Sequence, residues 1–144
     1  MKNGNAIWIV GHKVKPVDVS GDYDFVRGET PAHTPGPPPH YHTGYNELFY
    51  VIEGEMEFMV NGELKILCPG ESVDLPPNAL HTFSNKSSKT CLWINVHSPK
   101  GFLAFFNDLG IDESSENAQA DSISEEMISR LMRDAESYDM HIKI

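Results

Sequence analysis

The chain has 144 residues, a length that suits one domain, and its 40% hydrophobic content with two tryptophans argues for a packed core rather than disorder. Its formal net charge is −10, and residues 108–144 carry ten acids against three bases, a balance of −7. A surface of that sign repels phosphate backbones, which excludes nucleic-acid binding through a basic patch; the acidic tail reads as a solvated helix face.

The first apolar run, Ala6–Val10, is too short for a signal core or a membrane span, so no membrane contact and a cytoplasmic location are expected. Cys68 and Cys91 have no Cys-x-x-Cys spacing and are too few for a disulfide framework; both sit in strand-like sequence, where a free cysteine is expected to be a small buried hydrophobe.

Alternation of period two and turn residues dominates residues 6–97. Ala6–Val10, Val14–Val19 and Tyr23–Gly28 read as strands broken at Gly11, Pro16 and Gly21-Asp22. Residues 30–39, Thr-Pro-Ala-His-Thr-Pro-Gly-Pro-Pro-Pro, cannot be helical and form an extended approach to His40; His33 within it is read as a loop histidine. Regular strands follow at Glu47–Ile52, Met56–Val60, Leu64–Leu67, Ser72–Leu75, His81–Ser84 and Thr90–His97. Asn61-Gly62 is a two-residue hairpin turn, and Pro69-Gly70 and Pro76-Pro77-Asn78 are further turns. Many short strands at even spacing predict an all-β sandwich or barrel.

The period changes at Ser98. Ser98 is expected to cap a helix with Pro99 in its first turn, and Phe102, Phe105, Phe106 and Leu109 then recur at helical spacing until Gly110. His97 is assigned to that cap. Residues 111–121 read as a polar linker. Ser122 to Glu125 has capping-box spacing and opens a second helix with an apolar stripe of Ile128, Leu131, Met132, Ala135 and Tyr138. The expected division is a β-barrel over residues 1–97 and a helical extension over 98–144 packed on it.

The chemistry concentrates in four residues. His40 and His42 alternate around Tyr41 and so share one face of an extended strand. Glu47 shares a face with Phe49 and Val51, which directs a carboxylate into an apolar interior, a costly position unless it is paired or bound to a metal. His81 opens another strand just after a turn. Three imidazoles and one carboxylate suit a first-row divalent ion, with one or two coordination positions left open. Phe49, Met59, Phe83 and Trp93 are candidate walls of an apolar substrate pocket. His12 and His141 show no partner pattern.

The spacing His40-x-His42-x4-Glu47-x6-Gly54 is similar to the first cupin motif, and Gly70-x5-Pro76-x-Asn78-x2-His81-x3-Asn85 to the second. Thr34 and Asn78 stand where the family often has glycine; asparagine tolerates the left-handed backbone such a turn needs. The resemblance implies a cupin double-stranded β-helix, or jelly-roll barrel, carrying two C-terminal helices, with His40, His42, Glu47 and His81 holding one ion of iron, manganese, nickel, copper or zinc. Residues 36–55 and 98–110 look more narrowly like single-domain cupins of the quercetin (flavonol) dioxygenase-like kind. That resemblance implies an oxidoreductase, a dioxygenase acting on a small aromatic or enolisable substrate, with Glu47 taking the substrate proton. A non-redox isomerase or lyase, or a small-molecule binder without turnover, fits the same ligands. Cupins of this kind commonly dimerise by lending an N-terminal strand, so a homodimer using Ala6–Val10 is expected.

Overall fold

A computed structural model describes residues 4–143. The strands are β1 (Ile7–Ile9), β2 (His12–Val17), β3 (Asp24–Thr30), β4 (His40–Tyr41), β5 (Asn46–Glu53), β6 (Met56–Val60), β7 (Glu63–Leu67), β8 (Ser72–Leu75), β9 (His81–Ser84) and β10 (Cys91–Ser98). After them come α1 (Leu103–Leu109), β11 (Ile111–Asp112), α2 (Ala118–Ser122), α3 (Glu125–Asp134), a 3-10 turn at Ala135–Tyr138, and β12 (His141–Ile142).

The strands form two antiparallel sheets, one of seven in the order β11-β1-β2-β3-β10-β5-β8 and one of five in the order β12-β4-β9-β6-β7. The alternation that predicts β5 is the alternation observed: Glu47, Phe49 and Val51 are buried, while Leu48, Tyr50 and Ile52 face out. Phe58, Met56, Val73, Leu75 and Trp93 join them in the core, each burial contributing roughly 1.5–3 kcal/mol. Asn61 and Gly62 both have positive φ, as the hairpin between β6 and β7 requires, and Asn78 takes the left-handed conformation at φ 71°. No helix among the described residues is long and apolar enough to cross a membrane.

The C-terminal extension departs from its reading in four places. Residues 111–121 are not a plain linker: β11 adds an edge strand beside β1, and α2 follows. Ser98 ends β10 instead of capping a helix; α1 starts at Leu103, and its approaching Gly101 and Phe102 amides donate to Asp24 Oδ2 at 3.0 and 2.9 Å. A carboxylate from β3 thus takes the place of a local cap, which no local spacing could announce. The cap of α3 is Ser124, accepting from Met127 N, whereas Ser122 accepts from Gly11 N at 3.0 Å and ties α2 to the start of β2. Of the predicted stripe, Leu131 and Ala135 are buried but Met132 is exposed. Cys91 is buried as expected; Cys68 is exposed, in the turn that follows β7.

Candidate metal centre

Each sheet contributes one half of the site. His40 on β4 lies directly across from His81 on β9, and His42 follows β4 immediately. Glu47 on β5 pairs with His97 on β10 in the facing sheet. All five side chains are buried.

Each of the three strand histidines is oriented by a main-chain carbonyl. His40 Nδ1 is 2.8 Å from Pro38 O, His42 Nδ1 is 2.7 Å from Asp139 O, and His81 Nδ1 is 2.9 Å from Ala79 O. A carbonyl only accepts, so Nδ1 carries the proton and Nε2 of each neutral ring presents its lone pair. One ring nitrogen from each of the three lies within 4.8 Å of the others. This is the usual arrangement of metal-ligating histidines, ring orientation being set from behind.

Glu47 Oε2 lies 3.0 Å from both His42 Nε2 and His81 Nε2, yet this buried oxygen has no aligned hydrogen-bond partner among the described residues. Two imidazole lone pairs and a carboxylate oxygen therefore crowd one point, an arrangement that calls for a cation between them. Burial alone would lower the His42 pKa, but the Glu47 contact and charge raise it. Burial would likewise raise Glu47, but the electrostatic pull of the adjoining His97 ring and the contacts with His42, His81 and His97 hold it well below the usual carboxylate range. Burial, reinforced by His81, pushes His40 down to about 3 and keeps it neutral. The donor set of three nitrogens and one carboxylate oxygen fits a divalent transition ion.

The other carboxylate oxygen faces away from the three. Oε1 lies 2.9 Å from His97 Nε2 and accepts from Asn95 Nδ2 at 3.4 Å. His97 is therefore part of the site and not a helix cap. Its alternation with Trp93 and Asn95 along β10 is the sequence signal that could have placed it inside.

A cavity of about 70 Å³ opens beside the centre, lined by His40, His42, Glu47 and His97 together with aromatic rings and the aliphatic Ile9, Val14 and Met140. Along β5 and β10 the wall passes from Glu47 and His97, through Phe49 and Asn95, to Trp93. Three of the four predicted pocket residues line the cavity: Phe49, Phe83 and Trp93, with Phe49 to Phe83 at 5.1 Å and Phe49 to Trp93 at 5.4 Å between ring centroids. Met59 does not. It lies half-buried between inward Phe58 and half-buried Val60, on the other face of β6, and Phe58 takes the core position. His33 is exposed and stands outside the cavity. His12, which carries no sequence signal, lines it instead, with Nδ1 2.8 Å from Thr30 Oγ1, the atom that also accepts from Trp93 Nε1 at 2.8 Å.

Residues 27–97 match the Cupin domain family Cupin_2. No curated protein shows significant similarity to the chain. Among solved structures, KdgF from Halomonas sp. superposes with a TM-score of 0.61 at 23% identity, covering 70% of this chain and 92% of that one. An RmlC-like cupin from Shewanella frigidimarina gives 0.57 at 22% identity, covering 69% of this chain and 88% of its own. The cupin domain of an XRE family transcriptional regulator from Enterobacter cloacae gives 0.54 at 24% identity, with 63% and 99% covered. These likenesses establish the fold and leave the chemistry to the site.

Proposed function

From the premise that residues 27–97 form a cupin domain, we propose that the chain is a metal-dependent enzyme acting on a small, oxygen-bearing, enolisable substrate. The observation that carries the reading is Glu47: a buried carboxylate with Oε1 engaged by His97 and Oε2 turned toward the metal-facing nitrogens. A divalent ion held by His40, His42, His81 and Glu47 would supply Lewis acidity toward a substrate oxygen. Glu47 Oε2 would accept a proton from the carbon next to that oxygen when its own bond to the ion is loosened, while His97 and Asn95 keep the carboxylate from turning. Phe49, Phe83, Trp93, Phe102 and Phe106 shield the transfer from water.

A cavity of about 70 Å³ is well below the roughly 300–1,000 Å³ of drug-sized pockets. Its size favours a substrate of few atoms over a three-ring flavonol, which would need the aromatic wall to move. Proton removal is common to a dioxygenase and to an isomerase or lyase, so the two readings separate only afterwards. The experiment is elemental analysis of protein purified without chelator, followed by O2-uptake and proton-exchange assays on small enolisable carbonyl compounds. Redox-active metal with substrate-dependent O2 uptake supports the dioxygenase. Exchange of the substrate's carbon-bound proton without O2 uptake supports the non-redox enzyme. Ligand binding with neither activity turns the reading to a binding module.

The proposed partners are this small molecule and a second copy of the chain. Lending β1 would forfeit its pairings with both β2 and β11, so the outward face of β5 and β10 is the better-supported contact. There Leu48 pairs with Val96 and Tyr50 with Ile94, and Leu48, Tyr50 and Ile52 are exposed.

A further inference from the structure

We infer that His97 is a positioning residue that fixes Glu47 so that only Oε2 can reach the metal. The inference rests on the metal-site reading above and extends it to how the carboxylate binds.

His97 and Glu47 are direct partners in the β10–β5 ladder, and their side chains meet inside with Nε2 2.9 Å from Oε1. The opposite ring nitrogen, Nδ1, is buried without a hydrogen-bond partner among the described residues. A bare Nδ1 leaves Nε2 as the protonated nitrogen, and Nε2–H is the donor a carboxylate needs. A half-turn of the ring would put Cε1 in place of Nε2 and lose the carboxylate contact, and stacking on Phe102 at 4.7 Å and 29° resists it. Phe102 is itself held by its amide donating to Asp24 Oδ2, and Asp24 pairs with His97 across the β3–β10 ladder. A closed chain of contacts therefore runs Asp24, Phe102, His97, Glu47. It holds Oε1 away from the three strand histidines and leaves Oε2 between His42 and His81. Glu47 would accordingly bind through one oxygen, keeping a coordination position free for substrate.

Two measurements test this. In the metal-free chain, long-range proton–nitrogen NMR correlation should find His97 as the Nε2–H tautomer; the Nδ1–H tautomer would overturn the proposal whatever the metal does. Cobalt(II) titration of the parent, His97→Phe and His97→Gln should then give about tenfold weaker binding and an altered visible spectrum in the Phe variant. His97→Gln, which keeps a donor near the Nε2 position, should restore both. A Phe variant with the parent's cobalt spectrum and affinity refutes the positioning role. A parent that takes up no cobalt while His97 shows the Nε2–H tautomer overturns the metal reading and leaves the hold on Glu47 standing.

Discussion

The main-chain carbonyl of Asp139 lies 2.7 Å from Nδ1 of His42, so the C-terminal segment orients one of the metal-facing histidines from 97 residues away. The side chain of the same residue accepts from Thr43 N at 3.0 Å, Thr43 Oγ1 at 2.8 Å and Gly44 N at 2.8 Å. Burial would raise the Asp139 pKa, but the Thr43 and Gly44 hydrogen bonds hold it at about 2. Beyond it, β12 pairs with β4, placing Ile142 opposite His40.

The first prediction concerns that attachment. Asp139→Ala keeps the carbonyl but releases Thr43 and Gly44, so His42 should lose its fixed orientation. Metal affinity should fall by about 10–100-fold, the usual cost of losing an outer partner of a ligand. Competition against a chelating dye, with circular dichroism to verify the fold, measures it. Equal affinity in both proteins would mean that the turn after His42 holds itself.

His81→Ala gives a sharper loss. His81 supplies one of three nitrogens and one of the two that flank Glu47 Oε2 at 3.0 Å. Removing it takes away one of the four donors and one of the two nitrogens that flank Glu47 Oε2, so the remaining set no longer encloses the ion and affinity falls. Elemental analysis should show near-stoichiometric metal in the parent and little in the variant; unchanged stoichiometry would falsify the site.

Much of this centre could be read from sequence because its ligands obey local rules. His40 and His42 alternate, Glu47 interrupts an apolar face, and His81 follows a turn that Asn78 can make. His97 escaped because its partner lies 50 positions earlier, and a histidine at the end of a strand looks the same whether it caps a helix or meets a carboxylate. The Asp24 contact to the start of α1 is hidden for the same reason. Met59 shares a face of β6 with the charged Glu57, whereas Phe58 shares one with Met56 and Val60, so parity within the strand places Phe58 and not Met59 inside. The short β11 and α2 have too few residues to show a period, and they form because β1 and Gly11 offer partners.

The proposed self-association uses the outward face of β5. Light scattering after gel filtration should give twice the 16.1 kDa mass of one chain. Tyr50→Glu, at a position 40% exposed in the single chain, should yield the single-chain mass with the fold intact. A parent that runs only as one chain at micromolar concentration removes the homodimer.

The last prediction is a pH dependence centred on His12. Burial lowers its pKa from 6.5 to about 4, only partly offset by the Pro35 carbonyl. The folded value lies below the unfolded one, so the unfolded chain binds more protons between them, and stability rises with pH across that interval. The contribution is complete above about pH 6.5 and is lost as pH falls toward 4, a total of roughly 3 kcal/mol at about 1.4 kcal/mol per unit. Glu47 has the same sign, but its loss begins only below its unfolded value of 4.5. His42, with a raised pKa, acts in the opposite sense, stabilising the metal-free chain below 6.5 and losing that effect as pH rises through its folded value. Comparing the parent with His12→Phe removes both of those contributions from the difference. Urea unfolding at pH 7 and pH 5 should show the parent losing about 2 kcal/mol more than the variant between the two. Equal losses would mean that His12 takes up its proton in the folded chain at an ordinary pKa, with the cavity admitting water to its ring.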